Sequence, residues 1–172
     1  MANASAFSGA PAASPGMSPE GFLLPAIDAE AAPFWDGAMV GELRVQVCDS
    51  CGAFRFPPRP MCPKCRSFDR SWRAVSGRGT VWSYVVAHPP LLPAYAAVAP
   101  FNVIVVALDE DPTIRLVGNL VTGPDGTLGE IDPATITIGE PVEVVFHRTV
   151  RMRDGDDEGG VAVLPRWVRT AS

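Results

Sequence analysis

All four cysteines of this chain lie in one short stretch, Cys48 to Cys65, as two C-x-x-C pairs with ten residues between them. Each pair has the spacing of a tight turn whose two thiolates can face one cation. Two such turns opposed to each other complete a tetrahedral four-thiolate site, the closed geometry of structural zinc. Gly52 follows the second cysteine, where a backbone folding around a metal often needs positive φ. The competing readings are two disulfides or a redox C-x-x-C. Unrelated cysteines rarely fall in two matched pairs with none elsewhere, and no βαβ pattern surrounds the motif. Cys48, Cys51, Cys62 and Cys65 are therefore expected to bind one zinc ion per chain. With all four positions taken by protein, the ion has a structural role and no open site for water. Zinc is preferred to iron because no redox role is evident.

The rest of the chain must fold around that ribbon. Its 172 residues suffice for one ordinary domain and a small module. Eighteen prolines and sixteen glycines favour many turns and few long helices. Metal-ligating cysteines with none to spare suit a reducing, cytoplasmic setting. No apolar run is long enough to span a membrane, and the N-terminus lacks the pattern of a signal peptide. The net charge is −5, but Arg44 to Arg78 holds eight basic residues against two acids. That segment is formally +6, which leaves −11 for the remainder. A basic patch on an acidic protein suits an anionic ligand or partner better than general nucleic-acid affinity.

In chain order, residues 1–22 are small and polar and are expected to form a disordered tail. Residues 23–43 form the one helical region. Asp28 can cap a first short helix and Pro33 fits the first turn of a second. Phe34, Trp35, Met39 and Leu43 fall at roughly helical spacing, a stripe for the domain's own core or for a partner. The ribbon occupies 44–76, and 77–172 reads as β structure. Strands are expected at Thr80–His88, Phe101–Leu108, Thr113–Val121, Pro141–Arg151 and Val161–Val168. Gly118 is a candidate bend, Pro89–Pro100 a loop, and Asp154–Gly160 an acidic hairpin tip. Five strands of this length can close into a small OB-type barrel. Gly77-Arg78-Gly79 is no dinucleotide fingerprint, since the third glycine and the following helix are missing.

Catalytic parts are not evident. His88 ends a strand before two prolines, His147 lies within a strand, the carboxylates cluster in turns, and the cysteines are committed to metal. For an anionic ligand, Arg55, Arg59 and Arg78 lie near Phe54, Phe56, Trp72 and Trp82 in sequence. Arginine forks bind phosphate, and aromatic faces stack on adenine. A surface or partner-facing ion pair is the alternative for each arginine.

The order of short helices, four-cysteine ribbon and five-stranded barrel resembles the family of acyl-CoA-associated proteins that join a rubredoxin-like zinc ribbon to an OB fold. Phe34-Trp35, Leu43–Cys51, Phe56–Cys65, Ser76–Tyr84, Ile138–Phe146 and Ala162–Trp167 carry the resemblance. It departs at Asp109–Pro112, where family members often carry a glycine. The resemblance implies a non-catalytic accessory subunit beside a thiolase-superfamily protein: a thiolase, an acyltransferase or a steroid side-chain aldolase. It also implies a CoA thioester as ligand, with Arg55, Arg59, Arg78 and Trp82 as candidate contacts. Phe34, Trp35 and Met39 become a candidate partner interface, and an α2β2 hetero-oligomer is the expected assembly. Two other classes stay open. One is a single-stranded nucleic-acid module, because ribbons and OB folds both occur there; the other is an independent CoA-thioester enzyme.

Overall fold

The computed structural model describes Ser18 and residues 21–152 and 158–170. Most of the expected tail, 1–22, and most of the expected acidic tip, 154–160, lie outside the described residues.

Among the described residues, one helix, α1 (Ala32–Met39), precedes the ribbon. Pro33 sits in its first turn, where a missing N–H costs nothing. The two short helices expected over 23–43 reduce to this one. Asp28 instead accepts the Ala31 N–H at 2.7 Å in the turn ahead of it. The ribbon is a three-stranded antiparallel sheet in the order β2-β1-β3: β1 (Leu43–Cys48), β2 (Phe54–Arg55) and β3 (Arg70–Val75). The central strand ends on the first zinc-binding cysteine, so sheet pairing and metal site share one backbone.

The second sheet has five strands in the order β6-β5-β4-β7-β8. They are β4 (Arg78–Ala87), β5 (Phe101–Leu108), β6 (Arg115–Gly118), β7 (Pro141–Met152) and β8 (Glu158–Arg169). A four-residue helix, α2 (Pro93–Ala96), lies within the expected Pro89–Pro100 loop. β5 is where the unbroken apolar run placed it, as a fully buried strand requires. The third expected strand is shorter than Thr113–Val121. After Gly118 the chain leaves β5 and Leu120 pairs in parallel with Trp167 on β8. The Val121 N–H donates to Trp167 O at 2.8 Å, and the Trp167 N–H to Asn119 O at 3.0 Å. This switch nearly closes the sheet into an OB-like barrel and shelters both outer edges.

Gly118 makes the switch sterically possible. A Cβ there would lie 2.8 Å from Trp167 Cδ1 and Nε1, so only glycine lets the indole pass over the strand. Trp167 is 1 % exposed and packs with Val81, Ile104, Val106, Leu120 and Val142 in the core. Phe34, Leu43 and Val45 belong to the same cluster, so helix, ribbon and barrel share one core. Each such fully buried large side chain is worth roughly 1.5–3 kcal/mol.

Candidate functional site

The two knuckles are built alike. In the first, the Gly52 N–H donates to Cys48 O; in the second, the Arg66 N–H donates to Cys62 O, both at 2.8 Å. Gly52 (φ 72°) and Arg66 (φ 65°), each directly after its second cysteine, both take the left-handed conformation. These turns bring the four sulfurs within 4.8 Å of one another. Cys48 Sγ lies 3.5 Å from Cys65 Sγ, and Cys51 Sγ 3.7 Å from Cys62 Sγ. A tetrahedron of Zn–S bonds of about 2.3 Å has edges of about 3.8 Å, so the cluster fits zinc. Cys48 and Cys62 are buried, Cys51 and Cys65 exposed.

Four thiols this close conflict electrostatically. The Cys65 and Lys64 N–H groups outweigh burial and pull the Cys62 thiol down to about 6. The Ser67 N–H favours a Cys65 thiolate, but the crowding sulfur of Cys48, burial, and the sulfurs of Cys51 and Cys62 push that thiol up to about 12. A divalent cation resolves the conflict by stabilising all four thiolates together. The site is a structural zinc centre with every position filled by protein.

The candidate ligand residues occupy different settings. Arg55 on β2 is only 4 % exposed, and among the described residues Nε, Nη1 and Nη2 have no hydrogen-bond partner. Arg59 is exposed, and its backbone N–H donates to Gln46 Oε1 at 2.9 Å. Arg78 is exposed at the start of β4. Trp82 sits in a β-bulge between Val81 and Ser83 and is half exposed, with the Arg115 guanidinium 3.7 Å above its ring. Arg115 was not singled out by sequence because it lies 33 positions from Trp82 and meets it only through β5. In the candidate interface, Phe34 is buried in this chain's own core, edge-on to Trp35 at 4.9 Å and 5.5 Å from Phe56. Trp35 packs partly against that core. Met39 remains exposed, beside the more exposed Val40.

Sequence reasoning missed a cavity of about 790 Å³ beside the barrel seam. Its walls come from residues 22–25, α1, Phe56, α2, β5, β6, the loop 125–128, β7 and β8. The apolar side includes Phe22, Trp35, Tyr95 and Phe101; the ring of Tyr95 lies 4.9 Å from Phe22 and 6.1 Å from Phe101. Polar groups gather at the loop 124–130. His147 Nδ1 lies 2.9 Å from Pro124 O, and the Arg166 guanidinium donates to Gly126 O. Glu130 fixes that loop by accepting the Thr122 N–H and hydroxyl and the Thr127 N–H. Partial burial opposes its ionisation. The Thr122 donors, the Thr127 N–H and Arg166 outweigh that and hold the carboxyl below its ordinary range.

Ribbon, barrel and metal cluster together define a zinc-ribbon/OB-fold protein. Residues 35–69 match the ChsH2 rubredoxin-like zinc ribbon domain, and residues 72–147 match the ChsH2 C-terminal OB-fold domain. The chain belongs to this ChsH2 (DUF35) family. It is 34% identical over 114 residues to a DUF35 domain-containing scaffold protein of Methanocaldococcus jannaschii, covering 64% of this chain and 70% of that one. It is 41% identical over 118 residues to a probable enoyl-CoA hydratase alpha subunit of Thermomonospora curvata, covering 69% of this chain and 33% of the relative. The 3-oxo-4,17-pregnadiene-20-carboxyl-CoA hydratase alpha subunit of Mycobacterium tuberculosis is 34% identical over 130 residues, 76% of this chain and 38% of the relative. The chain thus spans about a third of the length of these two hydratase subunits. It also superposes on a chain of the solved Ltp2-ChsH2(DUF35) aldolase with TM-score 0.66 and 34% identity, over 86% of this chain and 100% of that one. Among the described residues, no helix is long and apolar enough to cross a membrane.

Proposed function

We propose that this chain is a non-catalytic subunit that binds acyl-CoA and completes or stabilises a thiolase-superfamily partner of the aldolase or thiolase type. The observation that carries this reading is the similarity to a chain of the Ltp2-ChsH2(DUF35) aldolase over that chain's whole length. The scaffold name carried by the archaeal relatives points the same way. So does the zinc centre, whose four protein ligands leave no position for substrate. The assembly is an α2β2 hetero-oligomer acting in the cytoplasm. Residues 44–76 and 77–172 are its ribbon and barrel units. Met39 and the exposed side of Trp35 are the parts of α1 offered to the partner. Arg59 and Arg78, both solvent-facing, are better placed than buried Arg55 to meet CoA phosphates.

Affinity purification of the zinc-loaded chain from its native host, followed by native mass spectrometry, tests this. A stoichiometric thiolase-superfamily partner is expected. A lone zinc-bound monomer at near-cellular concentration contradicts it. Retention on single-stranded DNA at moderate salt would instead support the nucleic-acid module, for which the Trp82–Arg115 stack is a suggestive feature.

A further inference from the structure

We propose that the free edge of β3 is a docking strand: it takes an extended, acidic polypeptide segment as a fourth strand of the ribbon sheet. This goes beyond the subunit reading, because it names a backbone surface and the chemistry that fits it, whatever class of protein supplies the segment. Among the described residues, β3 pairs with β1 on one side and with no strand on the other. The direction of its backbone groups follows from the ladders. The Cys48 N–H donates to Ala53 O on the β2 side, and the Asp49 N–H to Asp69 O on the β3 side. Hydrogen-bonded pairs alternate along antiparallel strands. Ser71, Arg73 and Val75 therefore bond to β1, while Arg70, Trp72 and Ala74 turn their N–H and C=O groups outward. Among the described residues, nothing pairs with the outward groups of Trp72 and Ala74. The Ser76 N–H, next in that outward series, is taken by the Glu110 carboxylate. The chain thus fills one place on this edge with an acidic acceptor and leaves the two before it open, on a strand exposed along most of its length. An unpaired edge of this kind templates a further strand. Charge selects the occupant. β3 carries Arg70 and Arg73, both exposed, and no acid. Arg70 is held by Glu30 at 2.9 Å, whereas Arg73 lies over the Phe54 ring with no carboxylate beside it among the described residues. A second copy of β3 would bring two more arginines to the same seam, so an acidic strand fits and self-pairing does not.

The test uses the zinc-loaded full chain, isotope-labelled, with amide hydrogen exchange read by NMR. It is titrated with two acetylated and amidated heptapeptides, one alternating glutamate and valine, the other lysine and valine. In the free chain the Arg73 and Val75 amides should exchange slowly and the Trp72 and Ala74 amides rapidly. Saturating acidic peptide should slow the Trp72 and Ala74 amides at least tenfold, and the basic peptide should bind at least tenfold more weakly. Ala74→Pro removes one outward N–H and leaves the β1 ladder intact, as proline on a free edge does. It should weaken the acidic peptide at least tenfold. If Ala74→Pro does not fold, Arg73→Glu, an exposed change, replaces it and should weaken the acidic peptide at least tenfold while favouring the basic one. No slowing at Trp72 and Ala74, equal affinity for the two peptides, or indifference to the variant would overturn the assignment. Protection of these two amides in the free chain that rises with its own concentration would overturn it in favour of a second copy. None of these results bears on capture of a thiolase-superfamily partner, so the accessory-subunit reading stands or falls separately.

Discussion

The side chain of Asn102 pairs with the backbone of Leu120 as a strand would: Nδ2 donates to Leu120 O at 3.0 Å, and Oδ1 accepts the Leu120 N–H at 2.7 Å. β6 has ended at Gly118 and the chain has turned towards β8, so the β5 backbone no longer reaches it. The Asn102 amide spans that gap in a site only 1 % exposed. Asn119 adds a bond from Nδ2 to Asn102 O at 2.6 Å. Asn102→Ala leaves a buried N–H and C=O unpaired, at a cost of about 1–3 kcal/mol for each unsatisfied group. Urea unfolding should show that loss, and Asn102→Asp, which adds a buried charge, should lose more. A fully stable Asn102→Ala would show that the seam closes without this clamp.

Arg55 presents the opposite case, a buried cation whose three side-chain nitrogens find no hydrogen-bond partner among the described residues. Replacing a buried, uncompensated charge by an apolar side chain of similar length removes its desolvation cost. Arg55→Met is therefore expected to raise the urea midpoint of the isolated chain, by roughly 1–4 kcal/mol of stability. A clear destabilisation would mean that Arg55 is paired in the folded protein.

The two knuckles predict opposite effects at matched positions. Gly52→Ala puts a Cβ at φ 72°, where it meets no neighbouring atom, so the cost is conformational alone, about 1 kcal/mol. Arg66→Gly relieves a side chain already held at φ 65°, at the cost of a more flexible unfolded chain, and should be neutral to mildly stabilising. Thermal melts of the zinc-loaded variants distinguish these signs. A loss at Arg66→Gly as large as that at Gly52→Ala would contradict the left-handed conformation at Arg66.

Much of this was legible locally. The cysteine spacing specified the metal cluster because each knuckle is closed by contacts within four residues. The unbroken apolar run specified β5. What escaped depends on residues far apart in sequence. Thr113–Val121 read as one strand, yet it changes partner at Gly118 because Trp167, 49 positions later, passes over that glycine. Arg55 read as a ligand candidate by residue type, and only the packing of β2 against β1 shows it buried. The cavity draws its walls from segments scattered from Ser18 to Trp167, so no single stretch announces it.

Acid should loosen the loop that roofs the cavity. The folded carboxyl of Glu130 titrates below its ordinary value. Its stabilising effect is therefore complete above the unfolded glutamate value of about 4.3 and is lost as the pH falls through the folded value. Glu130→Gln should lower the melting temperature at pH 6 more than at pH 3. Zinc release in acid is common to both proteins, so the difference between them isolates this group. A gap that stays constant with pH would contradict the assignment.

Zinc removal should unfold the ribbon, because the metal's binding energy is part of the folding energy of such a site. Chelation at neutral pH, or Cys48→Ser, is expected to abolish protection of β1 and β3 amides in hydrogen exchange. Since Leu43 and Val45 share the barrel's core, the barrel should also lose stability. Full ribbon protection in the metal-free Cys48→Ser protein would contradict a structural role.

The most direct test of the account is turnover by the captured thiolase-superfamily partner, measured with acyl-CoA in the presence and absence of this chain. A large rise in kcat/KM is expected when the chain is restored at one copy per partner subunit, with no turnover by the chain alone. A partner equally active without it, or turnover by the isolated chain, would contradict the accessory role.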